Sequence, residues 1–74
     1  MDSKITDALY NALKLKYQAE YQEANATLLV YFSNPVGIGE HPQHLEEMDK
    51  QMTKMVDAQD KLDLLTRKFE NVRD

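Results

Sequence analysis

The chain contains no cysteine and no tryptophan, and only two glycines and two prolines in 74 residues. Without cysteine there is no disulfide framework and no thiolate metal site. No apolar run approaches the roughly 18–20 residues that a membrane span requires. The opening Met1-Asp2-Ser3-Lys4 lacks the charged-then-apolar layout of a secretory leader, so a reducing cytoplasm is the expected setting. Positive charge is not in excess either. Thirteen acidic residues against nine basic ones leave a net charge of −4, which argues against a protein that coats itself in nucleic acid by bulk charge. A chain this short forms one domain at most, and its core is marginal, because small domains bury a low fraction of their surface.

The few helix breakers are all in one place. Pro35, Gly37, Gly39 and Pro42 fall within Pro35-Val36-Gly37-Ile38-Gly39-Glu40-His41-Pro42, and the stretches on either side contain none. That layout reads as helix, loop, helix, with a first helix over about 4–33, a loop over about 34–41 and a second helix over about 42–72. In the first, Tyr10, Leu13, Tyr17, Tyr21, Ala24, Leu28 and Tyr31 recur at steps of 3 or 4, which places them on one helix face. Ser3 is its candidate cap and Asp7 adds negative charge near its positive end. Asn34-Pro35 ends it, because the residue before a proline is pushed out of the α region. The second helix starts at Pro42, whose missing N–H costs nothing in a first turn. Glu46, Glu47 and Asp49 follow, where the helix dipole favours them. Its apolar stripe is Leu45, Met48, Met52, Met55, Gln59, Leu62, Leu65 (or Thr66), Phe69 and Val72, close to a heptad.

Two helices of matched length joined by a short loop imply an all-α, antiparallel two-helix hairpin of coiled-coil type, with dimerisation to a four-helix bundle as a further option. Folding about residues 37–38 sets Tyr10 opposite Leu65, Leu13 opposite Leu62 and Tyr21 near Met55. It also brings Ala24 near Met52, Leu28 near Met48 and Tyr31 near Leu45. Val36 and Ile38 would close the loop end of the seam. Flexible methionines suit the space left opposite alanines. The four tyrosines follow the core stripe, where a ring is buried and its hydroxyl stays wet. Base stacking in a single-strand binder is the alternative use.

Antiparallel pairing gathers seven of the nine basic residues, Lys4, Lys14, Lys16, Lys61, Arg67, Lys68 and Arg73, on the half away from the loop. Solvated helix faces explain most such charge, with i,i+4 spacings such as Lys50–Lys54 and Asp57–Lys61. A weak nucleic-acid interface is the functional alternative. Lys14, Lys16, Lys61, Arg67, Lys68 and Arg73 would then be its phosphate contacts, diluted by Asp7, Asp63, Glu70 and Asp74.

Little in the chain carries chemistry. His41, His44 and Glu47 could contribute to a metal site, but their spacing matches no established zinc pattern and nothing supplies a fourth ligand. His41 is expected to serve near the helix start and His44 to be a surface residue, and no metal or cofactor is expected. Ser3 and Ser33 lie far from an imidazole or at a helix end, so no nucleophile–base set forms, and a two-helix hairpin offers no enclosed pocket. Gly37-Ile38-Gly39 is not a phosphate loop; its glycines suit positive φ values in the connection. Asn25-Ala26-Thr27 fits a glycosylation sequon by chance, inside a helix. No catalytic residue is expected. What stands out is surplus apolar surface. Leu9, Ala12, Leu15, Ala19, Leu29, Val30, Phe32, Val56 and Leu64 cannot all fit one seam, and leftover apolar surface on a small hairpin marks a partner or self-association site.

The loop and its neighbours are distinctive. Tyr31-Phe32-Ser33-Asn34-Pro35-Val36-Gly37-Ile38-Gly39-Glu40-His41-Pro42, then Asp57-Ala58-Gln59-Asp60-Lys61-Leu62, together with Ala8-Leu9-Tyr10-Asn11-Ala12-Leu13-Lys14-Leu15-Lys16-Tyr17, resemble a family of small proteins of T4-type tailed phages encoded beside the UvsW helicase. The resemblance spans most of the chain; the loop is its specific part. It implies a helical hairpin, the cytoplasm of an infected bacterial host, and a link to phage recombination, replication and repair through the helicase. It supplies no catalytic or binding residues to carry over, and helicase motifs are absent. The expected function is therefore a non-enzymatic accessory protein that contacts a protein partner, the helicase or another replication protein. A weak nucleic-acid-binding hairpin and a self-assembling structural hairpin are the alternatives.

Overall fold

The computed structural model describes residues 3–33 and 43–70, and is helical throughout them. Helix α1 runs Ser3–Ser33 and helix α2 runs Gln43–Phe69, with Glu70 adding a tighter 3₁₀ turn. At about 1.5 Å per residue they are roughly 46 and 40 Å long, and they pack along their length into a rod of 55 × 16 × 14 Å. The fold is the all-α helical hairpin. Helix α1 takes in Ser3, which the sequence reading set just outside it as the cap. Helix ends are soft to a residue or two. Asp7 lies beyond the first turn of α1, which holds no acid. The loop, with Val36, Ile38 and its two glycines, falls outside the described residues, as do His41, Pro42 and Val72.

Three cross-helix contacts fix the direction and the register. Tyr31 meets His44, their ring centroids 5.5 Å apart and their planes tilted by 57°. Glu23 accepts a hydrogen bond from Lys54. The Lys61 ammonium lies 5.7 Å from the centre of the Tyr17 ring. Early residues of α1 thus meet late residues of α2, and the helices are antiparallel. A helical side chain leans toward its own N-terminus. Lys61 therefore sets its head one turn back, near the level of residue 58, which is where a fold about residues 37–38 places Tyr17.

On α1 the seam follows the expected stripe. Tyr10, Ala24 and Leu28 are buried and Tyr17, Tyr21 and Tyr31 are half-buried. Leu13 departs from it, with 41% of its surface exposed, and turns toward one flank.

On α2 the expected stripe is displaced. Met48, Met55 and Leu62 lie at heptad spacing and are half-buried, as expected. Two other heptad rows flank them. One is His44, Gln51, Ala58 and Leu65; the other is Leu45, Met52, Gln59 and Thr66. The more apolar entries at the loop end, Leu45 and Met52, favour the second row by hydropathy. The structure buries the first: Ala58 and Leu65 are closed off, His44 and Gln51 are half-buried, and Leu45 and Met52 are exposed. Thus Tyr31 packs on His44 rather than Leu45, and Ala24 does not cover Met52. The cause is volume across the seam. Ala58, at 3% exposure, lies level with the bulky Tyr17 and Tyr21, so a methyl group there lets the helices close. Gln59 in that place would put an amide into the contact, and buried polar groups cost free energy unless bonded. Its Nε2 instead donates to Asp63 Oδ1 at 2.8 Å on the surface.

Candidate functional site

The surplus apolar residues do stay outside the seam. Leu9, Leu15, Leu29, Val30, Phe32, Val56 and Leu64 are all exposed, and so are Ala12 and Ala19. They do not form one surface. Leu15, Ala19 and Val30 sit on the back of α1, away from α2, by the 100° helical step. Leu9 and Leu64 face one groove from opposite helices at the end of the rod remote from the loop. There, Thr6, Leu9, Tyr10, Leu13 and Tyr17 of α1 and Lys61, Leu64, Leu65 and Phe69 of α2 line a groove of about 390 Å³.

The groove has a local origin. Tyr10 and Leu65 form its floor and are buried. Leu9 and Leu13, one turn apart, make one wall. Leu64 and Phe69 make the other, and Phe69 keeps 43% of its surface exposed. Its volume is in the range of small-molecule pockets, roughly 300–1,000 Å³. Unlike those, it is an open trough with nearly all its lining apolar. Lys61 is the charged residue in the lining, and the Lys68 ammonium stands nearby, 5.6 Å from the centre of the Phe69 ring. Among the described residues, no carboxylate lines it.

Toward the loop the same side of the rod turns polar. Glu20, Lys50, Thr53, Lys54, Asp57, Ala58 and Lys61 border a second hollow of about 270 Å³. Ion pairs hold its rim. Lys16 donates to Glu20 at 2.9 Å, Lys50 to Glu47 at 3.2 Å, and Lys54 to Glu23 on the other helix. Lys50 and Lys54, one turn apart, carry like charge and do not support one another; each takes its own carboxylate. The hydrogen bond from Lys16 holds the Glu20 carboxyl below its ordinary range, and the same bond raises the Lys16 ammonium above its own.

The proposed phosphate contacts are divided by this geometry. Lys61 and Lys68 flank the apolar groove, each over an aromatic ring. Lys16 is committed to Glu20. Lys14 is half-buried on the edge of α1 opposite Leu13, so it faces away from Lys61. Arg67 is exposed in the last turn of α2 beside Lys68. Arg73 lies outside the described residues.

Of the candidate metal ligands, His41 is outside the described residues. His44 is half-buried against Tyr31, and Glu47 accepts from Lys50. No group of three or more His, Asp or Glu side chains suited to a metal forms among the described residues. The hydroxyls of Thr27, Ser33 and Thr66 donate to the backbone carbonyls of Glu23, Leu29 and Leu62, four residues earlier, at 2.9, 2.6 and 3.0 Å. Such back-bonding is the local habit of these residues inside helices. No described helix is long and apolar enough to cross a membrane.

Sequence reasoning named Leu9 and Leu64 as surplus but missed the groove they share with Leu13 and Phe69, both assigned to the seam. The signal for it is the register: a hairpin folded near residues 37–38 brings residues 9–13 level with residues 62–66. Compared with protein family models, curated proteins and solved structures, the chain matches none of them.

Proposed function

We propose that this chain is a non-enzymatic docking module. Its groove at the open end of the hairpin receives an apolar helical segment of a protein partner. The observation that carries this reading is the trough of Leu9, Leu13, Leu64 and Phe69, apolar along both walls and open to solvent. Contiguous apolar surface of this kind, rimmed by polar groups, is what interaction sites expose. An amphipathic helix laid into a groove is a standard mode of peptide recognition. The resemblance to small proteins of T4-type phages supplies the partner and the setting. The partner is the phage helicase of recombination, replication and repair, and the setting is the cytoplasm of the infected host. Nucleic acid is the weaker partner, because Lys14 and Lys61 lie on opposite edges and Lys16 is occupied by Glu20.

One titration tests the reading. The chain is labelled with ¹⁵N and titrated with purified helicase, and separately with a single strand and a duplex at low salt. Docking at the groove shifts the amide signals of Leu9, Leu13, Leu64 and Phe69 on addition of helicase. Absence of any shift at high micromolar helicase removes that partner. Binding to DNA that weakens steeply with salt, with shifts centred on Arg67 and Lys68, would instead establish the phosphate-contacting reading.

A further inference from the structure

The outer face of α2 that carries Leu45 and Met52 is itself patterned. Leu45, Asp49, Met52, Val56, Asp60 and Asp63 follow one another at steps of 3 and 4, and all are exposed. They form a continuous outer edge that is apolar and acidic from Leu45 to Asp63, with Arg67 one turn beyond it. The groove at the end of the rod remote from the loop is apolar and bordered by Lys61 and Lys68, and among the described residues no carboxylate lines it. The two surfaces lie on opposite sides of the hairpin. Lys61 and Leu64 face the groove side of α2, and Leu45, Met52 and Val56 fall on its other flank by the helical step. Each surface offers what the other lacks.

We infer that the occupant of the groove is a second copy of this chain, which inserts the Leu45–Met52–Val56 edge of its α2 between Leu9 and Leu64. Asp49 and Asp60 of the incoming helix then approach Lys61 and Lys68. Opposite charges at the rim fix orientation more than they add affinity. The contact joins two different patches, so it is heterologous. Each added copy leaves one groove and one edge free, and association continues into open chains or closes as a ring. The thin seam of the lone hairpin, in which no large side chain among the described residues is sealed from solvent, favours such mass-action stabilisation. This inference rests on the docking reading of the groove: the second copy fills it in the absence of helicase, and the two compete for the same trough.

The test is sedimentation of the full chain from low micromolar to millimolar concentration, alone and as two variants. Leu9→Glu spoils the groove and keeps the edge; Met52→Lys spoils the edge and keeps the groove. Both positions are more than half or half exposed, at 63% and 50%, so helix content by circular dichroism should be unchanged. Should Leu9→Glu lose helix, Leu64→Gln removes the opposite wall. The native chain is expected to exceed the mass of a dimer as concentration rises. Each variant alone is expected to stay monomeric, and an equimolar mixture to stop at a heterodimer. A strict monomer at millimolar concentration overturns the inference. So does a Met52→Lys variant that still dimerises while Leu9→Glu does not, because the contact is then groove to groove. A monomeric chain that binds helicase through Leu9 overturns self-assembly alone; one that does neither overturns the docking reading as well.

Discussion

The two heptad rows beside Met48, Met55 and Leu62 differ in what they offer and in where they end up. The row Leu45, Met52, Gln59 and Thr66 begins with two strong apolar residues and lies outside as far as Gln59, with Thr66 half-buried. The row His44, Gln51, Ala58 and Leu65 begins with two polar ones and lies inside. Apolar content therefore does not choose between them. Fit does. Ala58 admits the tyrosine rings of α1, His44 presents a ring to Tyr31, and Leu65 is buried with Tyr10 at the groove floor. A two-helix contact is thin enough that one small residue at its middle outweighs two large apolar ones at its end. Close packing, rather than bulk transfer of apolar surface, makes that decision.

The largest expected contrast tests burial itself. Leu28→Ala removes a side chain that is 5% exposed and should cost about 2–5 kcal/mol, enough to unfold a hairpin of this size. Its neighbour Leu29→Ala, exposed on the other side, should change stability by less than about 0.5 kcal/mol. Urea unfolding followed by circular dichroism reads both.

Next comes the choice of row. Ala58→Leu should overfill the seam at a cost of about 1–3 kcal/mol, while Gln59→Leu should be nearly neutral. The reverse order in melting temperature would mean that the helices meet along the other row.

A smaller effect attaches to the pair that links the two helices. A double-mutant cycle on Glu23 and Lys54 should give a coupling of about 0.2–1 kcal/mol, as for exposed ion pairs, and added salt should weaken it. No coupling would mean that packing alone sets the register.

The smallest is the pH response of Lys16 and Glu20. The Glu20 carboxyl titrates below its ordinary range, so its contribution is present above the unfolded carboxylate pKa and fades as pH falls through the folded one. The Lys16 ammonium titrates above its ordinary range, so its contribution is present below the unfolded lysine pKa and fades as pH rises through the folded one. The pair therefore acts across the neutral range between them. Carboxyl chemical shifts of Glu20 in the native chain and in Lys16→Met should separate in titration midpoint, the native one lower. Coincident midpoints would show that the two do not interact.

Much of the architecture is readable from the chain. The cluster from Pro35 to Pro42 announces one connection and two helices, and the 3–4 spacing from Tyr10 to Tyr31 marks the buried face of α1. The face of α2 is not readable in the same way. Both rows have the same spacing, so periodicity cannot separate them, and hydropathy favours the one that is exposed. Only the volumes opposite them, set by Tyr17 and Tyr21, decide. The groove was half legible for a related reason. Leu9 and Leu64 stand out as apolar residues without a place, but Leu13 and Phe69 keep seam spacing, and only the rotation of each helix shows them opening outward. The basic residues follow the same logic. Their gathering at one end is a matter of chain order, while the separation of Lys14 from Lys61 depends on the azimuth of each helix.

Ala58 also determines how freely the chain can vary. A larger residue there overfills the contact, and glycine would loosen the helix by roughly 1 kcal/mol relative to alanine. The position thus has an alphabet of nearly one letter. One residue away, Gln59 faces solvent and any good helix former should serve. In a library randomised over residues 57–60 and selected for folding, nearly all the sequence information should concentrate in that single methyl group.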